Sequence, residues 1–153
     1  MALFVHLTPA ANTVRLRRSG VRAAGRGHGG ERGVYCFPLL PCYTLTHQWL
    51  RELAHDGDHR RFVAVHIRLD DAQPVTVGHH ATRPRWVTAR EAVRIVRALP
   101  DPHGWEVFVP RTVTVREIHR VRGVARGVGP HTTDAGDPSE CPCRVRIAEP
   151  VLL

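Results

Sequence analysis

The residue with the clearest chemical potential is Glu106, which stands inside an apolar segment, residues 104–110. β-Branched and aromatic residues favour a strand there, and strand alternation separates Glu106 and Phe108 from Trp105 and Val107. Burying a carboxylate costs free energy unless a partner compensates for the lost water. Two interpretations follow: an edge strand that leaves Glu106 in water, or a site that uses its charge.

Two further side chains lie at predicted strand positions earlier in the chain. His6 is near the end of a first strand, residues 3–7, and Tyr35 is in a second strand, residues 33–37. Either residue taken alone is more often part of an ordinary core than of a binding site. Their presence together with Glu106 favours a functional site.

The cysteines occur as two close pairs, which are Cys36 with Cys42 and Cys141 with Cys143. Four thiolates suit tetrahedral zinc, and disulfides are disfavoured in a cytoplasmic protein, but neither pair has the usual Cys-x-x-Cys spacing. One structural zinc and four free thiols therefore both stay open. A zinc would hold the polar tail, residues 127–153, against the strand of Tyr35, with Cys36 facing away from Tyr35. Loop histidines without metal-ligand spacing are interpreted as solvated: His28, His79, His80 and His131.

Residue patterns predict an α+β domain in which strands dominate and two or three short helices separate them. The predicted elements do not alternate regularly as βαβ units, so a doubly wound sheet is not indicated. Further strands are expected at residues 62–69 and 75–77. Shorter strands are expected near Val121 and at residues 143–147.

Helix caps and periodicity predict where the helices begin and end. The first helix is expected to have Thr8 as its N-cap and to end at Gly20. The second is expected over residues 43–53, and the third opens on a capping box at residues 88–91. The glycine- and arginine-rich residues 22–32 are interpreted as a mobile loop.

The composition fits one domain of 153 residues with a net charge of +8. A basic protein suits a polyanionic partner, but all 22 basic residues are arginine, a bias typical of a GC-rich genome, and a bacterial source is expected. No apolar run of about 18 residues could span a membrane, and the N-terminus does not resemble a signal peptide. A cytoplasmic monomer is expected.

Three motifs stand in a particular order: His6-Leu7-Thr8 before a helix that ends in Ser19-Gly20-Val21, then Gly33-Val34-Tyr35, then Glu106 opening its strand. This order resembles the ADP-ribosyltransferase superfamily of the diphtheria-toxin and poly(ADP-ribose) polymerase type, which is known by a His-Tyr-Glu triad. The resemblance covers about residues 3–121. It implies a single ADP-ribosyltransferase-like domain, residues 1–153, with a split β-sheet core.

The resemblance implies an NAD-dependent mono-ADP-ribosyltransferase that releases nicotinamide and modifies an unidentified protein or nucleic acid. Glu106 would stabilise positive charge growing at the nicotinamide ribose, Tyr35 would stack on nicotinamide, and His6 would bind the adenosine-side ribose. NAD is thus the expected substrate, and zinc, if bound, is structural. The other residues implied in NAD binding are Leu7, Thr8, Tyr43 and Thr46.

The sequence departs from the polymerases in two places. Leu7 stands where they have glycine, and no residue after Tyr35 securely matches their serine and second stacking tyrosine. The short chain leaves no room for a large regulatory domain, which favours transfer of a single ADP-ribose. Two alternatives stay open: an RNA 2′-phosphotransferase on the same fold, and a catalytically inactive basic module that binds nucleic acid or protein.

Overall fold

The structure, a computed structural model, describes residues 1–40, 44–55 and 61–124. Within these ranges eight strands and three α-helices follow one another as β1 Ala2–Pro9, α1 Thr13–Ser19, β2 Gly25–Arg26, β3 Arg32–Pro38, α2 Thr44–His55, β4 Phe62–Leu69, β5 Pro74–His79, β6 Arg85–Thr88, α3 Ala89–Arg97, β7 Trp105–Val109 and β8 Ile118–Val124. Short 3-10 turns occupy Ala10–Asn12 and Val115–Glu117. The expected α+β class is confirmed.

All strand pairs are antiparallel, and the sheet runs in the order β6-β5-β7-β3-β1-β4-β8, with β2 added to β3. Its centre is narrow. β1 pairs with β4 along all of Ala2–Pro9, but it pairs with β3 only at Phe4↔Pro38 and Val5↔Phe37. The sheet therefore consists of two well-paired parts, β1-β4-β8 and β3-β7-β5-β6, that share a short junction.

Helix α3 covers the middle of the sheet, where it contacts β1, β3 and β5. The predicted capping box is present, because Thr88 Oγ1 accepts from Glu91 N–H and the Glu91 carboxylate accepts from Thr88 N–H. Ala89, Ala92 and Val96 form its buried face. The spacing of these small and β-branched residues lets the helix lie close to the strands.

The first helix ends at Gly20 as predicted, but it begins later than expected. Gly20 has φ of 75°, and a Cβ there would overlap the carbonyl oxygen of Val113, so glycine is required on both grounds. Thr8 is not an N-cap, since it lies inside β1 and its hydroxyl accepts a hydrogen bond from Asn12 Nδ2 at 2.8 Å. Pairing of β1 with β4 extends the strand to Pro9 and delays the helix to Thr13.

Residues 22–32 are a hairpin rather than a mobile loop. β2 pairs with β3 at Gly25↔Gly33 and Arg26↔Arg32, and Gly27 N–H donates to the Glu31 carbonyl at 2.8 Å. Strand β6, which the sequence analysis did not predict, pairs with β5. None of the helices in the described ranges is both long and apolar enough to cross a membrane.

Candidate functional site

Glu106 lies on an interior strand, because β7 pairs with β3 on one side and with β5 on the other. The interpretation of an edge strand with Glu106 in water is therefore wrong. The carboxylate is half-buried, and its neighbours along the strand, Val107, Phe108 and Val109, are buried. On β5 its pairing partner is Gly78, which has no side chain to cover it.

Tyr35 and Glu106 meet in one open pocket. Tyr35 pairs with Phe108, and Phe108 pairs with Thr76, so three adjacent strands present these residues on the same face as Glu106. The pocket has a volume of about 210 Å³ including solvent at its mouth, and it is lined by Gly27, His28, Tyr35, Thr76, Pro84, Glu106 and Phe108.

The Tyr35 ring is fixed at both ends while one side stays accessible. Its centroid lies 4.9 Å from that of Phe108 with a tilt of 54°, and its hydroxyl donates to the Arg26 carbonyl at 2.8 Å. Burial, together with the negative charges of Glu106 and Glu31, raises the pKa of the Tyr35 phenol. The ring therefore stays neutral and offers an aromatic face to the pocket.

The Glu106 carboxylate is held in an unfavourable environment for a charge. Desolvation raises its pKa above the ordinary 4.5, and the nearby His80 and His28 act in the opposite direction. Among residues 1–40, 44–55 and 61–124, no hydrogen bond reaches this carboxylate. A poorly solvated carboxylate of this kind can stabilise developing positive charge or accept a proton.

His6 is adjacent to the pocket without lining it. Its Nδ1 lies 2.7 Å from the Tyr35 carbonyl oxygen, one residue beyond the last β1–β3 pair. Burial lowers the pKa of the imidazole, an effect partly offset by the Tyr35 carbonyl, so the ring is neutral at pH 7. A carbonyl only accepts, so Nδ1 carries the proton and Nε2 is left as an acceptor.

Of the other residues expected to bind NAD, those within the described ranges do not line the pocket. Leu7 and Thr8 are both buried in β1, and the Thr8 hydroxyl is engaged by Asn12. Thr46 is half-buried on α2. Tyr43 lies outside the described residues.

Three glycines around the pocket leave room for its two aromatic rings. A Cβ at Gly25 would lie 2.9 Å from Tyr35 Cδ2, and one at Gly27 would lie 2.8 Å from Phe108 Cε1. A Cβ at Gly33 would overlap the Phe108 ring and the Val109 carbonyl. The glycine-rich hairpin is therefore a wall of the pocket.

Two histidines near Glu106 were not predicted from the sequence as part of the site. His28 and His80 are exposed, as expected of solvated residues, yet both lie close enough to Glu106 to affect its pKa. His80 also stacks near His79, with ring centroids 4.3 Å apart. The turns that hold them were visible in the sequence, but only the sheet order brings both turns to β7.

Helix α2 is attached to the start of β7. Gly104 N–H donates to Gln48 Oε1 at 2.8 Å, and Trp49 Nε1 donates to the Trp105 carbonyl at 3.4 Å. These bonds fix the backbone just before Glu106, so α2 helps to set the position of the carboxylate.

The zinc site stays a prediction. Cys36 is a free thiol in the core, and burial together with the charge of Glu106 raises its pKa. It alternates with Tyr35 on β3 and does not line the pocket, as expected. Cys42, Cys141, Cys143 and the tail of residues 127–153 lie outside the described residues. Within the described ranges no group of three or more metal-ligating side chains occurs.

Comparisons of the chain with protein-family models, with curated proteins and with solved structures find no match.

Proposed function

We propose that the protein is an NAD-dependent mono-ADP-ribosyltransferase. One observation carries the proposal: Tyr35 and Glu106, which are 71 positions apart in the sequence by their numbers, converge on one pocket in which the carboxylate is desolvated. An aromatic face beside such a carboxylate suits a planar, cationic leaving group attached to a sugar.

The reaction needs few groups. The bond between ribose C1′ and the nicotinamide nitrogen breaks, and its electron pair stays on nicotinamide, which neutralises the pyridinium. Positive charge then develops at the ribose, where the Glu106 carboxylate stabilises it. The acceptor forms a bond to C1′ and loses a proton, which Glu106 or water takes up.

NAD is placed by two contacts in this proposal. Nicotinamide packs against the accessible face of Tyr35, and Nε2 of His6 accepts a hydrogen bond from the ribose on the adenosine side. The pocket is an open depression, since its volume of about 210 Å³ includes solvent at its mouth. In this proposal only the nicotinamide end sits there, and the rest of the dinucleotide lies along the junction towards β1.

The narrow β1–β3 junction is compatible with a split-sheet transferase. The His strand lies in one part of the sheet, and the Tyr and Glu strands lie side by side in the other. In this proposal NAD spans the junction, with nicotinamide beside Tyr35 and Glu106 and the other ribose near His6.

The test is the release of nicotinamide from labelled NAD, alone and with a cell lysate as acceptor. Glu106→Gln should keep the fold and lower release by about 10²-fold or more, the effect of losing one preorganised electrostatic group. Glu31→Gln is the matched control. The charge of Glu31, like that of Glu106, raises the pKa of Tyr35, but Glu31 does not line the pocket. Equal rates for Glu106→Gln and wild type would refute the assignment.

NAD binding is measured separately by thermal shift. NAD should raise the melting temperature of wild type, since a ligand that binds only the folded state stabilises it, and Tyr35→Ala should abolish the shift. Binding without turnover would instead favour the inactive module. Release of a 2′-phosphate from RNA would favour the phosphotransferase.

A further inference from the structure

Trp86 is a large aromatic residue left unusually accessible. Its side chain is 60% exposed, and it lies on β6, the edge strand of the sheet. Tryptophan is highly buried on average, so a side chain this accessible at a strand edge is available to stack with a partner.

Strand pairing puts Trp86 on the face of the proposed active site. Trp86 pairs with Thr76, Thr76 pairs with Phe108, and Phe108 pairs with Tyr35. Directly paired residues on neighbouring strands point to the same side of a sheet. At about 4.8 Å per strand, the Trp86 backbone lies roughly 10 Å from that of Phe108.

The surface around this row is basic. Residues 22–32 and 79–86, the two turns that border the pocket, contain five arginines and one glutamate. The arginines, all of them exposed, are Arg22, Arg26, Arg32, Arg83 and Arg85. Arg83 adjoins Pro84, and Arg26 adjoins Gly27, and both of these neighbours line the pocket.

The sheet order separates the two sides of the pocket. His6 on β1 lies on one side of the Tyr35 and Glu106 strands, and Trp86 on β6 lies on the other. If NAD extends towards His6, as the proposed function requires, the Trp86 side remains for the acceptor.

Resting on that function, we propose that the acceptor is single-stranded nucleic acid. One unpaired base stacks on Trp86, and a flanking phosphate binds Arg83. An aromatic platform beside a basic groove is how proteins hold single strands, whereas a duplex hides the base faces that stacking needs. The surface complements a polyanion, and the net charge of +8 adds long-range attraction.

The transfer step then takes place on a neighbouring base. A nitrogen of that base forms a bond to C1′ of the nicotinamide ribose, the bond from C1′ to nicotinamide breaks with its electron pair on nicotinamide, and the base nitrogen loses one proton to Glu106 or water. No other reactant is needed.

The first test measures binding by fluorescence anisotropy with labelled single-stranded DNA, single-stranded RNA and a duplex of the same sequence. Trp86→Ala should weaken single-strand binding about 5- to 150-fold, the effect of losing one stacked base, and Trp86→Phe should retain most of it. Val14→Ala, which alters another exposed apolar residue on α1, should change nothing. The DNA and RNA arms decide which sugar is preferred.

Charge is tested by salt dependence. Arg83→Ala should reduce the slope of log affinity against log salt by about 0.7, as expected for one lost phosphate contact on a single strand. Arg120→Ala removes the same charge from β8, the opposite edge of the sheet, and should leave the slope unchanged. Tighter binding of duplex than of single strand, or equal affinity of wild type and Trp86→Ala, would overturn the proposal.

Turnover separates this inference from the function it rests on. Trp86→Ala should hydrolyse NAD to nicotinamide like wild type, with an unchanged KM for NAD, but should fail to modify the oligonucleotide. A raised KM for NAD would mean that Trp86 serves the nucleotide, and would overturn the acceptor surface. If wild type binds single strands through Trp86 but never consumes NAD, the transferase function fails while the binding surface stands.

Discussion

The imidazole Nδ1 of His6 donates a hydrogen bond to the carbonyl oxygen of Tyr35 over 2.7 Å. This bond continues the β1–β3 junction at the point where backbone pairing ends. A side chain thus replaces a ladder bond, and the same ring keeps Nε2 for another partner. His6 therefore has a structural role through one nitrogen and, in the proposed function, a binding role through the other.

Two substitutions at His6 separate these roles. Asparagine places an amide nitrogen near the position of Nδ1, so His6→Asn should keep the bond to Tyr35 and most of the stability while NAD binding weakens. Glutamine reaches the position of Nε2 instead, so His6→Gln should lose about 1–3 kcal/mol, the effect of an unsatisfied carbonyl. Thermal unfolding and NAD titration measure the two effects, and the opposite pattern would contradict the assignment.

The lowered pKa of His6 predicts a pH dependence of stability. Since burial holds the folded pKa below the ordinary 6.5, the unfolded chain binds the proton more tightly between these values. The free energy of unfolding should therefore fall as pH drops below about 6.5 and level off below the folded pKa. Denaturant unfolding between pH 7.5 and 5 should show a steeper fall for wild type than for His6→Asn, and parallel curves would contradict this.

The desolvation that suits Glu106 to catalysis should also lower the free energy of unfolding of the protein. Desolvation raises its folded pKa, so the cost is absent below the ordinary 4.5 and appears as pH rises through the folded pKa. Glu106→Gln should therefore raise the free energy of unfolding at pH 7–8 by about 0.5–2 kcal/mol, while nicotinamide release falls. The difference from wild type should close towards pH 4.5. A destabilised variant at pH 8 would mean that the carboxylate has a favourable partner.

Local signals predicted much of the fold. Apolar content alone indicated the strands that became β3, β4 and β7, and the capping box indicated α3. The failures involve long-range pairing. Thr8 and Pro9 have the residue types of a helix start, but pairing with Val63 and Phe62 of β4 holds them in a strand. The glycines of the β2–β3 hairpin made this segment look like a loop. Their backbone hydrogen bonds form only when β2 pairs with β3.

The site was less accessible to sequence reasoning. Glu106 and Tyr35 stood out because a charged or polar group in an apolar strand is locally unusual. His28 and Pro84 sit in turns without a local signal, and only the order β5-β7-β3 brings those turns together. The environment of a carboxylate depends on neighbours distant in sequence, so its raised pKa could not be predicted from the residues alone.

Gly33 should be essential to the pocket wall. An added Cβ would overlap the Phe108 ring and the Val109 carbonyl, whereas at Gly123 on β8 it would meet nothing within 4 Å. Gly33→Ala should lower stability by about 1–3 kcal/mol, as overpacking does, and shift the melting temperature by about 2–4 °C per kcal/mol. Gly123→Ala is the matched control and should be nearly neutral. Equal effects of the two substitutions would mean that the β3–β7 contact is looser than described.

An ion pair holds the chain just after β7. A second capping box elsewhere in the chain, which lacks such an ion pair among the described residues, offers a matched control. The Arg111 guanidinium donates to both Glu117 oxygens, at 2.9 and 2.7 Å, and also to Gln73 Oε1. These bonds, with those from Thr114, lower the pKa of Glu117 to about 2. Glu117 is the acidic member of a capping box, as is Glu91 of α3, whose pKa is lowered chiefly by Thr88 and whose carboxylate is fully exposed.

Substitution of the two glutamates isolates the contribution of the ion pair, because each variant alters a capping box of the same type and only Glu117 also pairs with Arg111. Glu117→Gln should lower the free energy of unfolding at pH 7 by about 1.5–3 kcal/mol, the range for a hydrogen-bonded charged group, and Glu91→Gln should have a much smaller effect. The folded pKa of Glu117 is depressed, so its contribution is present above the ordinary 4.5 and is lost as pH falls towards about 2. Denaturant unfolding from pH 7 to pH 2 measures this, and wild type and Glu117→Gln should converge at the acid end. A difference that persists at pH 2, or an equal loss in Glu91→Gln at pH 7, would assign the effect to the cap rather than to Arg111.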